Sequence, residues 1–406
     1  MSLPTPTPVV QEPLLRSRMP ELDSLRGVAI LLVLFLHGFG YTFNPASFTG
    51  LRHMFMTATS YGWIGVHLFF VLSGFLITGI LLDSRERGDY YRRFYARRAL
   101  RILPAYYLLL LILALLHQTY WPGRHSVGIP FVLLSFIYLS NVTPLFGIPM
   151  QYTVLWSLAV EEHFYLLWPA VVRRLSRQSL AGAALGIFLL VPMVRAVSAH
   201  FGHPADHNFY TWCNADGLAL GALLSMALRD PRIGRDLLRN LAICVVAVSG
   251  TTLVLAANLK MLRWDSTSGF ALRLSILNLG FVALLVLVLL AGTTRWSFIV
   301  NIPLLRFFGE ISYGLYLCHM LFFYGYERIA KQFWPSLAAS DGRFGDIVLQ
   351  FVCAGSASVI AATLSRRYFE ECFLRLRGQP VLRGLRKEHK TESLPVIASA
   401  NLPGIG

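Results

Sequence analysis

Residues Gly27-Val-Ala-Ile-Leu-Leu-Val-Leu-Phe-Leu-His37 form an apolar run behind a charged approach, Glu21-Leu-Asp-Ser-Leu-Arg26. Runs of this kind recur along the chain, and they constrain it more than any other feature. In lipid every backbone N–H and C=O must find its partner within the chain, so long apolar segments have to be helices. Of 406 residues, 55% are hydrophobic and only 14% charged, with a mean hydropathy of +0.56. That is not the composition of a soluble globule. The expected fold is all-α: a polytopic integral membrane protein of about ten transmembrane helices. The formal net charge of +15 would suggest nucleic acid in a soluble protein. Here the arginines cluster in a few connecting segments, as membrane topology demands. Nucleic acid is therefore rejected as a partner, and the lipid bilayer is expected as one.

The expected spans are about 24–44, 61–82, 103–120, 153–172, 180–198, 212–228, 241–259, 273–293, 309–329 and 345–365. Between the second and third lies the strongest charge run, from Arg85 to Arg101, closed by Pro104. The positive-inside rule makes that loop cytoplasmic. A further apolar piece, 128–146, is interrupted by Pro130, Asn141 and Pro144. If it spanned, Arg173, Arg174 and Arg177 would fall outside, so it is read as re-entrant or interfacial. Both termini are then cytoplasmic, and the protein sits in the inner (cytoplasmic) membrane. Three regions are expected: a flexible N-terminal tail (1–20), a membrane domain (21–370) and a basic cytoplasmic tail (371–406). No cleavable signal peptide is expected, because the first apolar run is too long and lacks a small-residue cleavage site. The five cysteines are scattered without paired spacing, which argues against a disulfide framework or a zinc site.

Four features could carry chemistry. Arg26 and His37 are eleven residues apart, roughly three helical turns, which on a regular helix puts both on one face about 16 Å apart. A fixed cation at the membrane surface would thus align with a titratable imidazole near midplane, and ionisable groups at such depth mark function by default. In Trp156-Ser-Leu-Ala-Val-Glu161-Glu162-His163-Phe-Tyr165 two carboxylates sit within a span; being about 100° apart, at most one faces a given neighbour. Arg98 and Arg101, three residues apart, can grip one polyanion together. Ile311 to His319 places a second imidazole in a span. Against these stand plainer roles: topogenic arginines, a helix-fastening ion pair, buried packing histidines. There is no nucleophile elbow, zinc-protease helix, phosphate-binding loop or dinucleotide fingerprint. His200, His203, Asp206 and His207 have ligand-like spacing but no other support, and no metal site is expected.

Five motifs in order resemble the membrane-bound acyltransferase-3 family. They are Leu22-Asp-Ser-Leu-Arg-Gly-Val-Ala-Ile with His37 following, Leu68-Phe-Phe-Val-Leu-Ser-Gly-Phe-Leu-Ile77 and Arg97-Arg-x-x-Arg-Ile-x-Pro104. The others are Trp156-Ser-Leu-x-x-Glu161-x-x-Phe-Tyr165 and Ser312-Tyr-x-Leu-Tyr-x-x-His319. A sixth stretch, Ala215 to Leu224, is similar to a further family segment. Members often carry a basic residue shortly before its aspartate, Asp216, where this chain has Asn214.

The resemblance implies transfer of an acyl group, most often acetyl, from acyl-coenzyme A to a sugar hydroxyl of a cell-envelope glycan or glycolipid, with no resident cofactor. It implies a stand-alone protein without the extra hydrolase-like domain of many relatives, which transfers directly or hands over to a partner, the expected partner being a second copy in a homo-oligomer or an envelope-assembly protein. In this reading Arg26, Arg97, Arg98 and Arg101 hold the donor's phosphates bidentately. His37 is the general base and Glu161 orients and charge-stabilises it, as a carboxylate does in a serine-hydrolase triad. Asp23, Trp156, Ser157, Tyr313 and His319 support the site. An acyl-histidine relay is the runner-up mechanism. A proton-coupled flippase is the rival class, but the matching half-chains such a transporter would show are missing.

Overall fold

The computed structural model describes residues 14–16, 18–40, 43–116, 127–201, 208–258, 266–339 and 342–376. Among them there is no strand, and the protein is an all-α polytopic membrane protein. Helix α1 (Pro20–Phe35) starts with a proline in its first turn beside Glu21 and Asp23, which suit the positive end of the helix dipole. At Leu36 it passes into a π turn, Leu36–Gly40, that contains His37. Next come α2 (Gly50–Ser60), α3 (Ile64–Asp83) and α4 (Tyr90–Leu116). A short α5 (Ile129–Phe136) precedes α6 (Leu155–Arg174), α7 (Arg177–Phe201) and α8 (Ala215–Ala227). The remainder is α9 (Arg235–Asn258), α10 (Thr267–Ala291), α11 (Ser297–Val300), α12 (Pro303–Phe333), α13 (Phe344–Leu364) and α14 (Glu371–Arg375).

Among the described residues, length and apolar composition single out seven helical stretches that can cross a membrane, against about ten expected. The other three of the expected set are α6, α8 and α12. Helix α8 has 13 residues, about 20 Å of helix against a hydrocarbon core of about 30 Å. Helix α6 carries Glu161, Glu162, Arg173 and Arg174, and α12 carries charge at both ends. The segment 128–146 contains only eight residues of α-helix, about 12 Å long. It then kinks at Tyr138, whose φ is 59°, and continues as a 3-10 turn, Ser140–Phe146. It is too short to cross as a helix. Side-chain bonds tie it into the bundle: Tyr106 donates to the Ser135 carbonyl (2.7 Å), and Asn141 to Thr211 Oγ1 (2.8 Å).

Two parallel helix pairs set the architecture. A Cβ on Gly27 would lie 1.9 Å from the Leu305 carbonyl oxygen, and one on Gly309 would lie 1.9 Å from that of Asp23. The backbones of α1 and α12 therefore touch, an approach that small residues alone permit. Ten residues further along each helix, His37 meets His319. Helices α3 and α8 pack in the same way through Gly74 and Gly221, and a bidentate bond from Arg229 to Asp83 closes their far end.

Two expected boundaries shift. Arg16, in the stretch expected to be a free tail, pairs with Glu21 and donates to the Gly292 carbonyl. At the other end the π turn Ser365–Glu370 runs directly into α14, so helix continues past residue 370. Residues 1–13 and 377–406 lie outside the described residues. All five cysteines are free.

Candidate active site

Helices α1, α3, α4, α6 and α12 enclose a cavity of about 810 Å³, counted with its open mouth. Its cations are Arg26 from the second turn of α1 and Arg98 and Arg101 from the first half of α4. The Arg98 guanidinium lies 4.5 Å from the centre of the Tyr165 ring, a cation–π contact. Tyr165 donates to Glu161 Oε2 (2.7 Å), and Ser73 donates to Glu161 Oε1 (3.0 Å). Hydroxyls thus hold a carboxylate inside the bundle, as a buried charge requires. Glu162 borders the same cavity, which is broad enough to meet both neighbours on α6 despite their 100° separation.

Helix α6 runs antiparallel to α4, since Tyr90 donates to the Pro169 carbonyl (2.9 Å) and Tyr95 to that of Leu166 (2.8 Å). Ser157 is therefore two turns, about 12 Å, further from the arginines than Tyr165. There its Oγ lies 2.6 Å from the Tyr316 hydroxyl. One turn beyond Tyr316 stands His319. Its Nδ1 donates to the Leu315 carbonyl (2.9 Å), and its Nε2 lies 3.2 Å from His37 Nδ1. His37 Nδ1 is also 3.0 Å from the Val33 carbonyl oxygen.

Arg26, Arg98, Arg101, Glu161, Ser157 and Tyr313 line the cavity, and His37 and His319 pair just beyond it. Two expectations are corrected. No hydrogen bond joins Glu161 to His37 among the described residues, because α6 turns that carboxylate toward Ser73 on α3 while His37 faces α12. Arg26 lies in the regular part of α1, while His37 is the second residue of the π turn Leu36–Gly40 that follows it. Arg97 is exposed and does not line the cavity, being about 100° round the helix from Arg98. Of the supporting residues, Asp23 pairs with Arg26 (3.1 Å) and Tyr313 donates to the Ile102 carbonyl (2.8 Å). Trp156 lies outside the cavity lining, its ring packed on Phe70 and Phe209.

Sequence reasoning did not single out Ser73, Tyr316 or Arg195. The first two sit inside quoted motifs, and the i, i+3 spacing of Tyr316 and His319 is the signal that would have found Tyr316. Arg195 had only its position in the apolar run of α7. It is fully buried and pairs with Asp216, and it donates to the carbonyls of Cys213 and Ala271 (both 2.9 Å). Ser275 completes that carboxylate's partners at 2.7 Å. The cation for Asp216 thus comes from another helix, while Asn214 caps the Asn208 and Tyr210 carbonyls. Among the described residues no group of three His, Cys, Asp or Glu side chains could hold a metal. His203, Asp206 and His207 lie outside them.

The fold and cavity define a polytopic membrane protein with a polar, arginine-bearing chamber inside a helical bundle. The chain belongs to the acyltransferase domain family, whose model its residues 19–367 match. It is similar to the peptidoglycan O-acetyltransferase OatA of Listeria monocytogenes, 27% identical over 87% of this chain and 56% of that protein. It is 29% identical to the putative peptidoglycan O-acetyltransferase YrhL of Bacillus subtilis, over 74% of this chain and 48% of the relative. The O-acetyltransferase OatA of Staphylococcus aureus is 24% identical over 74% and 50%. The chain thus spans about half the length of these relatives. No solved structure matches it.

Proposed function

We propose that this protein moves an acetyl group from acetyl-coenzyme A to a hydroxyl of a sugar in a cell-envelope glycan or glycolipid. It does so within the inner membrane, with the arginine-bearing end of the bundle facing the cytoplasm. The observation that carries this reading is an order of groups along the bundle: the cavity is lined by Arg26, Arg98 and Arg101, then Glu161 and Glu162, then the Ser157–Tyr316 pair, and one turn beyond Tyr316 stands the hydrogen-bonded pair His319–His37. The family and the named activities of the relatives support it.

The arginines bind the donor's phosphates through charge-assisted, fork-shaped contacts. The thin pantetheine arm lies along the cavity and brings the thioester to the Ser157–Tyr316 level. The acceptor hydroxyl meets His37 from the other side. His37 takes the hydroxyl proton as the oxygen attacks the thioester carbonyl. The C–S bond then breaks, and the leaving thiolate takes the proton back from the imidazolium. Ester forms, free coenzyme A leaves, and the histidine returns to neutral.

The test uses purified full-length chain in proteoliposomes with radiolabelled acetyl-coenzyme A and lipid-linked envelope glycans. Label should appear in an alkali-labile ester on the glycan. Failure to bind the donor, with neither transfer nor thioester hydrolysis, would overturn the proposal.

A further inference from the structure

His319 Nδ1 faces the Leu315 carbonyl and its Nε2 faces His37 Nδ1, which also faces the Val33 carbonyl, and those neighbours fix where the protons sit. We infer that His319 is a positioning residue that holds His37 in the tautomer with its basic lone pair on Nε2, the task that a carboxylate performs in a hydrolase triad. The inference builds on the acetyl-transfer reading and adds to it the residue that prepares the base.

Backbone carbonyls accept hydrogen bonds and cannot donate them. The Leu315 carbonyl faces His319 Nδ1 at 2.9 Å, so that nitrogen carries a proton. A neutral imidazole has one N–H, which leaves His319 Nε2 bare. His319 Nε2 is therefore an acceptor, and what lies 3.2 Å from it is His37 Nδ1. That same nitrogen is 3.0 Å from the Val33 carbonyl oxygen. Both neighbours are acceptors, so His37 Nδ1 must be the donor to both, and its lone pair stands on Nε2. The tautomer of His37 is thus decided by the bonds its other nitrogen makes, which is how histidine ligands and bases are generally set.

The surroundings strengthen the case. His319 is fully buried, with the rings of Tyr316 and Phe323 flanking it at centroid distances of 6.0 and 6.4 Å. Both its nitrogens are committed, so it does not serve as the base itself. Glu161 is committed to Ser73 and Tyr165. When His37 takes up a proton on Nε2, the Nδ1–H bond to His319 persists and becomes charge-assisted, so no rearrangement accompanies the proton transfer. His37 sits in a π turn at the end of α1, and π turns concentrate at functional sites.

The test separates this inference from the acetyl-transfer reading. Protein labelled with ¹⁵N-histidine in lipid bilayers is studied by solid-state NMR, and the His37 resonances are assigned by their loss in His37→Gln. At alkaline pH, His37 should show a protonated Nδ1 and a bare Nε2, with a scalar coupling across the hydrogen bond between His37 Nδ1 and His319 Nε2. A protonated Nε2 on neutral His37, or no coupling, overturns the inference whatever the activity. The kinetic arm compares His319→Gln, whose amide oxygen can still accept, with His319→Leu, which packs well but cannot. The Leu variant should lose between about 10²- and 10⁴-fold in kcat with KM for acetyl-coenzyme A unchanged, and the Gln variant should retain most of it. A packing role predicts the opposite order, so Leu equal to or better than Gln overturns the inference. If the Leu variant does not fold, the NMR result on the wild-type protein decides. The expected tautomer and coupling in a protein that transfers no acetyl group would sink the enzymatic reading and leave the pairing standing.

Discussion

The hydroxyls of Ser157 and Tyr316 lie 2.6 Å apart and join α6 to α12 at the inner end of the cavity, one turn short of His319. A thioester travelling from the arginines to His37 passes this pair. Tyr316→Phe removes one neutral hydrogen bond and leaves the ring in place, and Ser157 keeps the Val154 carbonyl as a partner at 3.3 Å. One such bond contributes on the order of 1 kcal/mol, so turnover should change by about tenfold or less. Tyr316→Trp should narrow the passage and lower turnover far more, with donor affinity preserved. Steady-state kinetics alongside donor binding checks both.

The arginines offer a comparison within one helix. Arg98 and Arg101 line the cavity, whereas neighbouring Arg97 is exposed. Arg98→Ala and Arg101→Ala should each weaken coenzyme A binding. Arg98→Lys should also weaken it, losing both the planar fork and the stacking on Tyr165. Arg97→Ala should bind the donor as wild type does. Calorimetric titration of the detergent-purified variants is the measurement, and equal affinity in all of them would reduce the run to a topogenic signal.

The helical class, the cationic side of the cavity and the paired involvement of α1, α6 and α12 were legible in the sequence, because they follow from long-range composition and helical spacing. What was not legible lies where the spacing rule fails. Eleven residues from Arg26 to His37 imply a shared face only on a regular helix, and the second of them falls in the π turn Leu36–Gly40, which the spacing does not announce. The partner of His37 then depends on which helix lies beside that turn. A close approach of backbones at Gly27 and Gly309 decides it, and no local pattern in α1 announces that contact. Arg195 shows the same limit: a lone cation in α7 has no visible partner until α8 brings Asp216 to it.

That buried pair gives a stability prediction. Arg195 and Asp216 are both fully buried and satisfy each other together with Ser275 and two carbonyls. Removing one partner strands the other charge, so Arg195→Leu and Asp216→Leu should each cost about 3–5 kcal/mol. The double variant, with both charges replaced, should recover most of that loss. Thermal unfolding in detergent, followed by the monodisperse fraction on size exclusion, would show the order; a double variant worse than both singles would mean the pair is needed for more than mutual neutralisation.

Orientation can be tested from outside intact cells. Helices α1 and α12 are parallel, while a Cβ on Gly65 of α3 would meet the Ala29 carbonyl and one on Gly62 that of Leu32, so α3 runs antiparallel to α1. Gly88, between α3 and α4, therefore lies on the side where α1 begins, and Ser336, after α12, lies on the other. In a cysteine-free background, Gly88→Cys should resist an impermeant maleimide and Ser336→Cys should react. The reverse pattern would contradict the arginine bias and place the donor end of the cavity outside the cell.

The base itself is tested by His37→Gln against His37→Ala. Both remove the imidazole lone pair that would take the acceptor's proton. Gln keeps an amide that can donate toward the Val33 carbonyl and His319 Nε2, the two acceptors now facing Nδ1. It should therefore preserve the α1–α12 contact and the fold, where Ala leaves His319 without its partner. If His37 only packs, Gln should transfer acetyl groups at close to the wild-type rate. As general base, its loss should remove between about 10² and 10⁴ in rate while coenzyme A still binds, since the arginines stand at the other end of the cavity. Glu161→Gln should cost less, because that carboxylate holds Ser73 and Tyr165 rather than the reacting proton. The measurement is acetyl transfer by equal amounts of monodisperse variants, with donor binding in parallel. Near-normal turnover by His37→Gln would remove His37 from the chemistry and leave its pairing with His319 as a contact between helices.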